Sequence, residues 1–173
     1  MQISVPRLRP GRHVFRSSLS PAEYEAPAAG SGLDFRGTID VVATAHKMGG
    51  QLFVRTDAHT TVAMECARCL EPFIAPLAAT SSALYVPEET FDRTGSRAHA
   101  IESESERVFY YRQGVVDLGE QVVDSLVLAA PMKPLCREDC RGLCPVCGQN
   151  LNEGTCNCCP GEDFGHPFRD LLR

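Results

Sequence analysis

Nine cysteines stand out in a chain of 173 residues, and seven of them lie between Cys136 and Cys159, in PLCREDCRGLCPVCGQNLNEGTCNCC. The other two sit together in MECARCLEPF. Three pairs, Cys66/Cys69, Cys144/Cys147 and Cys156/Cys159, have the two-residue spacing of a metal knuckle. A tight turn across C-x-x-C points both sulfurs at one spot, and its free backbone N–H groups stabilise the thiolates. Zinc takes four such ligands in a tetrahedron, with Zn–S near ~2.3 Å. In CPVCG, Pro145 rigidifies the turn and Gly148 permits the positive φ that lets the chain swing away. Eight residues separate Cys147 from CNCC, so a compact four-thiolate site is feasible, with Arg141, Gly142, Gln149, Asn150 and Gly154 suiting a ligand-bearing loop. Cys156/Cys158 and Cys156/Cys159 both offer its second pair, and spacing alone favours Cys159.

Cys136 and Cys140 remain, spaced C-x-x-x-C, and their natural complement is the isolated Cys66/Cys69 knuckle. Together they make a second four-sulfur site whose halves lie about seventy residues apart. Closing so long a loop with metal is stabilising. The alternative places one zinc on four of the seven C-terminal cysteines and leaves Cys66/Cys69 as a buried or redox pair. Iron held by four thiolates is a further possibility, although a two-residue knuckle with Pro and Gly suits zinc better. Cysteines are often just small apolar core residues, but Arg, Asp, Asn and Gly flank these. Eight thiolates and two Zn2+ take the formal charge from −5 to about −9. Arg68, Arg137 and Arg141 lie beside the ligands and can offset it.

The whole chain must position these thiols. At 18.9 kDa it is long enough to bury a hydrophobic core without help from cysteine. The basic start, MQISVPRLRPGRHVFRSS, has no apolar segment of a secretory leader, and no apolar run reaches the ~20 residues of a membrane helix. A cytoplasmic location without membrane contact is expected, and in a reducing compartment clustered thiols read first as metal ligands. Fifteen of the seventeen basic residues are arginine, suited to phosphate and carboxylate. The net charge of −5 disfavours non-specific nucleic-acid binding and leaves that role to a local basic patch.

Strands are expected to carry the first knuckle. From Leu33 to Ala45, Leu33, Phe35, Ile39, Val41, Ala43 and Ala45 alternate with Asp34, Arg36, Thr38, Asp40 and Thr44. After the turn Gly49-Gly50, Leu52, Val54, Val62 and Met64 alternate with Arg55, Asp57, His59 and Glu65. This predicts an antiparallel hairpin that delivers the chain to Cys66. Phe73–Val86 reads as a third strand, pushed toward an edge by Pro76. Residues from about 87 to 107 read as a mobile acidic loop, and RVFYYR as a short strand. Asp117–Ala130 predicts a helix capped by Asp117 with Glu120 completing a capping box, its apolar face carrying Leu118, Val122, Leu126 and Ala129. Pro131 and Pro134 end it, and HPFRDLLR suits one terminal helical turn.

Other chemistries find little support. CARC is followed by LEPF, where Pro72 breaks the helix that a thioredoxin-like site needs. His13, His46, His59, His99 and His166 are scattered without a catalytic zinc motif, and no nucleophile elbow, P-loop or dinucleotide fingerprint occurs. A non-enzymatic protein is expected.

The order CARCLEPF, a helix ending in proline, then PLCREDCRGLCPVCGQNLNEGTC resembles the YceD/DUF177 family of large ribosomal RNA subunit accumulation proteins. The family's tail usually reads C-x-C, then Asp-Pro-Arg and a short leucine-containing helix. Here Cys156-Asn157-Cys158 is followed by an extra Cys159, and Gly165-His166-Pro167-Phe168-Arg169 stands where Asp-Pro-Arg would. The resemblance implies Cys158 as the ligand, with Cys159 in reserve, and a role in large-subunit rRNA processing or accumulation. The expected fold is α+β: a mainly antiparallel β-sheet domain over 1–130 with one prominent helix, and a C-terminal cysteine-rich zinc-knuckle segment over 131–173. The expected ligands are Cys66, Cys69, Cys136, Cys140, Cys144, Cys147, Cys156 and Cys158, for two Zn2+ per chain. Precursor large-subunit rRNA or a basic ribosomal protein is the expected partner, met through Arg7, Arg9, Arg12 and Arg16 as a basic arm or through Arg68, Arg137 and Arg141. The competing reading is a thiol redox or metal-responsive regulator, with one cysteine set reactive and the other structural.

Overall fold

The computed structural model describes residues 1–88 and 107–158. The expected mobile acidic loop falls largely at 89–106, and Cys159 and the terminal helical turn at 159–173; these lie outside the described residues. The chain divides into two compact units, one of Met1–Met64 with Phe73–Met132, the other of Glu65–Pro72 with the chain from Lys133 onward.

In the first unit, β1 (Gln2–Ser4) leads through a 3-10 turn to β2 (Gly11–Leu19), α1 (Pro21–Ala28), β3 (Asp34–Met48) and β4 (Gln51–Glu65). Then follow β5 (Pro72–Pro87), β6 (Arg107–Tyr111), β7 (Val115–Asp117) and α2 (Gly119–Ala129). The main sheet runs β2-β3-β4-β5-β6, and β1 and β7 form a separate antiparallel pair. The fold is α+β with mostly antiparallel pairing, as the alternation pattern anticipates.

The expected hairpin is β3–β4, turning at Gly49-Gly50 between the partners Met48 and Gln51. Its alternation decides which face is buried. Ile39, Val41, Ala43 and Ala45 of β3 and Leu52, Val54, Ala58 and Val62 of β4 are all sealed from solvent. Burial of each Leu, Ile or Val stabilises by roughly 1.5–3 kcal/mol. β5 is not an edge strand, since β6 lies beyond it. The β6 pairing is parallel and covers only Ala83–Pro87, so Pro76 sits where no neighbour on that side needs its missing N–H.

α2 starts later than expected, and its cap differs. Asp117 ends β7, and its Oδ1 accepts the Gly119 N–H at 2.9 Å from just before the helix. Burial alone would raise the Asp117 carboxyl, but this bond and one from the Gln2 amide hold it below the usual carboxylate range. A capping box forms instead at α1, where the Glu23 carboxylate accepts the Ser20 N–H and hydroxyl, each at 2.9 Å. The buried side of α2 is wider than a simple stripe: Leu118, Val122, Val123 and Leu126 are buried, whereas Ala129 is exposed. Gln121 is buried as well, its amide donating to Ser81 Oγ at 3.1 Å and accepting the Tyr85 hydroxyl at 2.9 Å. No helix among the described residues is long and apolar enough to cross a membrane.

Candidate metal centre

The first knuckle is the connection from β4 to β5, and its local geometry follows from the C-x-x-C turn. Cys66 N–H donates to Glu71 O at 3.0 Å, and Leu70 N–H to Cys66 O at 2.9 Å. The second knuckle repeats the path: Cys144 N–H donates to Gln149 O at 2.8 Å, and Gly148 N–H to Cys144 O at 2.9 Å. In each, the residue after the second cysteine has positive φ, +73° at Gly148 and +62° at Leu70. Glycine adopts that conformation freely; leucine is strained in it.

Backbone bonds then join the knuckle Cys66–Glu71 to the C-terminal segment within the second unit. Ala67 N–H donates to Pro134 O at 2.8 Å and Leu143 N–H to Arg68 O at 3.2 Å. Arg68 Nη1 donates to Cys140 O at 2.8 Å. Gly142 is required here, because a Cβ would stand 3.0 Å from Arg68 O and φ is +73°.

These contacts bring Cys66, Cys69, Cys136 and Cys140 together, and Cys144, Cys147, Cys156 and Cys158 form the second group; within each, all four Sγ atoms lie within 4.8 Å of one another. Cys66 Sγ is 3.7 Å from Cys140 Sγ, and Cys69 Sγ is 3.7 Å from Cys136 Sγ. Disulfide sulfurs are about 2.05 Å apart. Four sulfurs ~2.3 Å from one tetrahedral ion are about 3.8 Å apart. The spacing therefore fits four thiolates around a metal ion. Of the arrangements left open by the sequence, the structure brings together the pairing of Cys66/Cys69 with Cys136/Cys140.

Proton equilibria within each group reflect four thiols sharing one spot. Burial opposes ionisation of Cys66, but the N–H groups of Cys136, Cys69 and Arg68 outweigh it and bring the thiol down to about 6. At Cys144 the N–H groups of Cys147 and Val146 have the same effect, also to about 6. The last proton in each group is held: burial and the neighbouring sulfurs push Cys136 up to about 12, and contact with Cys147 and burial push Cys158 up to about 12. A divalent cation supplies the charge that lets all four ionise.

Cover distinguishes the groups. Cys66, Cys69 and Cys140 are buried and Cys136 is half-buried; in the other group only Cys144 is buried and Cys147 is exposed. The sequence gives no signal for Asn152, which links the two. Its Nδ2 lies 3.3 Å from Cys140 Sγ, while its Oδ1 accepts the Arg141 N–H at 2.8 Å. Asn152 thus stands on the loop between Cys147 and Cys156 yet supports a sulfur of the other group.

The remaining predicted residues are dispersed. Arg137 lies 3.6 Å from Asp139, and the Arg141 side chain is exposed. Arg7, Arg9, Arg12 and Arg16 are all exposed, but they do not form an arm: Arg12 and Arg16 belong to β2, paired with β3. His13, His46 and His59 lie on β2, β3 and β4 and belong to neither thiol group.

The family model of the large ribosomal RNA subunit accumulation protein YceD matches residues 54–172, which contain every one of these cysteines. The chain belongs to the YceD family. Uncharacterised proteins of Mycobacterium tuberculosis and Mycobacterium bovis are 35% identical to it over 103 residues, 59% of this chain and 45% of theirs. An uncharacterised protein of Mycobacterium leprae is 30% identical over 87 residues, 50% of this chain and 37% of its own. The matched stretch thus spans less than half the length of these curated relatives. No solved structure matches the chain significantly.

Proposed function

We propose that this YceD-family chain is a non-enzymatic, cytoplasmic factor in ribosome biogenesis, stabilised by two Zn2+ and supporting the processing or accumulation of large-subunit rRNA. The observation that carries the reading is the family match extending over both thiol groups. Cys66, Cys69, Cys136 and Cys140 hold one ion, and Cys144, Cys147, Cys156 and Cys158 the other. Four thiolates complete the coordination of zinc, whereas catalytic zinc keeps a position open for water or substrate. The metal's part is therefore to supply folding energy to a unit with little apolar core of its own. The direct partner is precursor large-subunit rRNA or a basic ribosomal protein, which the acidic balance of the chain would steer toward it.

The test is depletion of the protein in cells, with the ratio of precursor to mature large-subunit rRNA as readout. The ratio should rise, and the wild-type gene should restore it while Cys66→Ser/Cys69→Ser should not. An unchanged ratio would sink the proposal. One observation favours thiol regulation as a second reading, the exposure of Cys147 beside a thiol brought down to about 6. Rapid modification of Cys147 by a physiological oxidant, with rRNA maturation changing in step, would decide for it.

A further inference from the structure

The main sheet buries one face, and its other face has a basic corner that the metal sites do not explain. Alternation places Arg12 and Arg16 of β2 on the outward side, opposite the side that carries Phe15 and Leu19. Register then sets Arg12, His46 and Phe53 in one row across β2, β3 and β4, with Arg55 on β4 two residues from Phe53. At about 3.3 Å per residue and 4.8 Å per strand, the corner from Arg12 to Arg16 and across to Phe53 measures about 13 by 10 Å. Arg12, Arg16, His46 and Arg55 are exposed, and Phe53 is half-buried.

Arg36, Arg107, Arg112 and Arg137 each reach a carboxylate, and Arg55 approaches Asp57 at 3.8 Å. Among the described residues, Arg12 and Arg16 have no ion pair. Two acids share this face: Asp57, in the row of Arg16 on β4, accepts the Thr80 hydroxyl at 2.7 Å, and Asp40 accepts the Ser18 hydroxyl at 2.5 Å. In a chain of net charge −5, two guanidinium groups free of ion pairs beside a ring and an imidazole make a local anion site with surfaces for stacking.

We propose that this corner of the sheet binds single-stranded RNA, the guanidinium groups of Arg12 and Arg16 taking backbone phosphates while Phe53 and His46 stack against bases. The chemistry is that of single-strand binding in general, where cationic grooves follow the backbone and aromatic faces accept any base. The inference rests on the ribosome-biogenesis reading for its choice of RNA, and it names a surface that the family match does not.

The test uses the full chain loaded with zinc and a fluorescein-labelled single-stranded RNA of about 16 nucleotides, with anisotropy read across a series of KCl concentrations. Arg12→Glu/Arg16→Glu should weaken binding at least tenfold at low salt. Arg12→Ala/Arg16→Ala should lower the salt slope by about 1.4, since each single-strand phosphate contact contributes ~0.7. Arg12→Lys/Arg16→Lys should keep that slope, and Phe53→Ala should lose about tenfold with the slope unchanged. Metal content and circular dichroism establish that each variant is folded. Equal RNA affinity for the wild type and the Glu variant overturns the proposal, as does displacement of the RNA by poly-glutamate at matched charge, which would assign the corner to an acidic protein. So does self-association of the Glu variant without loss of RNA binding, because charged edge strands also serve to prevent pairing. If depletion raises the precursor ratio but the Glu variant binds RNA normally, the surface fails and the biogenesis reading stands. If depletion leaves the ratio unchanged, that reading fails whatever the affinity.

Discussion

The knuckle Cys66–Glu71 and the knuckle Cys144–Gln149 follow one backbone path, yet their sulfurs meet different surroundings. The first is joined to Pro134, Cys140 and Leu143 by hydrogen bonds and lies mostly out of solvent. The second closes on Cys156 and Cys158, only nine and eleven positions beyond Cys147, and leaves Cys147 exposed. Identical turns thus make a protected tetrad when the partner sulfurs come from far away, and a more open one when they come from the same short loop. The bonds that hold the first tetrad come from Pro134, Cys140 and Leu143, residues outside its own turn.

The largest expected effect follows from this difference. Cys66→Ser/Cys69→Ser should remove one equivalent of metal per chain by elemental analysis and abolish cooperative unfolding of the second unit. Cys144→Ser/Cys147→Ser should also remove one equivalent but leave the first tetrad loaded. If both variants lose two equivalents, the tetrads are a single cooperative site and the comparison breaks. Kinetics should separate them next. A thiol reagent added to the metal-loaded protein should modify Cys147, Cys156 and Cys158 in a fast phase, with Cys66, Cys69 and Cys140 protected, and mass spectrometry of the labelled peptides reads the order.

Asn152 offers a finer probe. Asn152→Ala removes a donor to Cys140 and should weaken metal binding at the first tetrad about tenfold, as a competitive chelator titration would read. A loss confined to the second tetrad would show that the amide merely shapes its own loop. The smallest effect concerns the residue after each knuckle. Leu70 is 56% exposed at φ +62°, so Leu70→Gly should stabilise the unit by about 1 kcal/mol in denaturant melts, and Gly148→Leu should destabilise it by a similar amount.

Much of the framework was legible because its signals are local. The C-x-x-C spacings of Cys66/Cys69 and Cys144/Cys147, the alternation through Leu33–Met64 and the apolar run before Pro131 each report a turn, a strand pair or a helix. The choice of Cys158 came from the family resemblance, since spacing alone pointed to Cys159. β2 has no clear local signature because its alternation is interrupted by Ser17-Ser18, and its arginines read as part of a basic arm. α1 holds Pro21 and Pro27 and little apolar surface, so its capping box at Ser20 and Glu23 was its main sequence signature. The parallel partner of β5 depends on a crossover that no local pattern specifies. Asn152 was invisible for the same reason: its role is set by where the loop travels.

Because the first knuckle ends β4, its two thiols are synthesised 67 to 74 positions ahead of the sulfurs that face them. At about 5–20 residues per second, the nascent chain carries a half-built metal clasp for several seconds. During that interval Cys66 and Cys69 can take an ion with water or a cellular thiol in the remaining positions, and Cys136 and Cys140 displace these when they arrive. On the proposed two-metal reading, the order of translation would thereby order the loading of the metal.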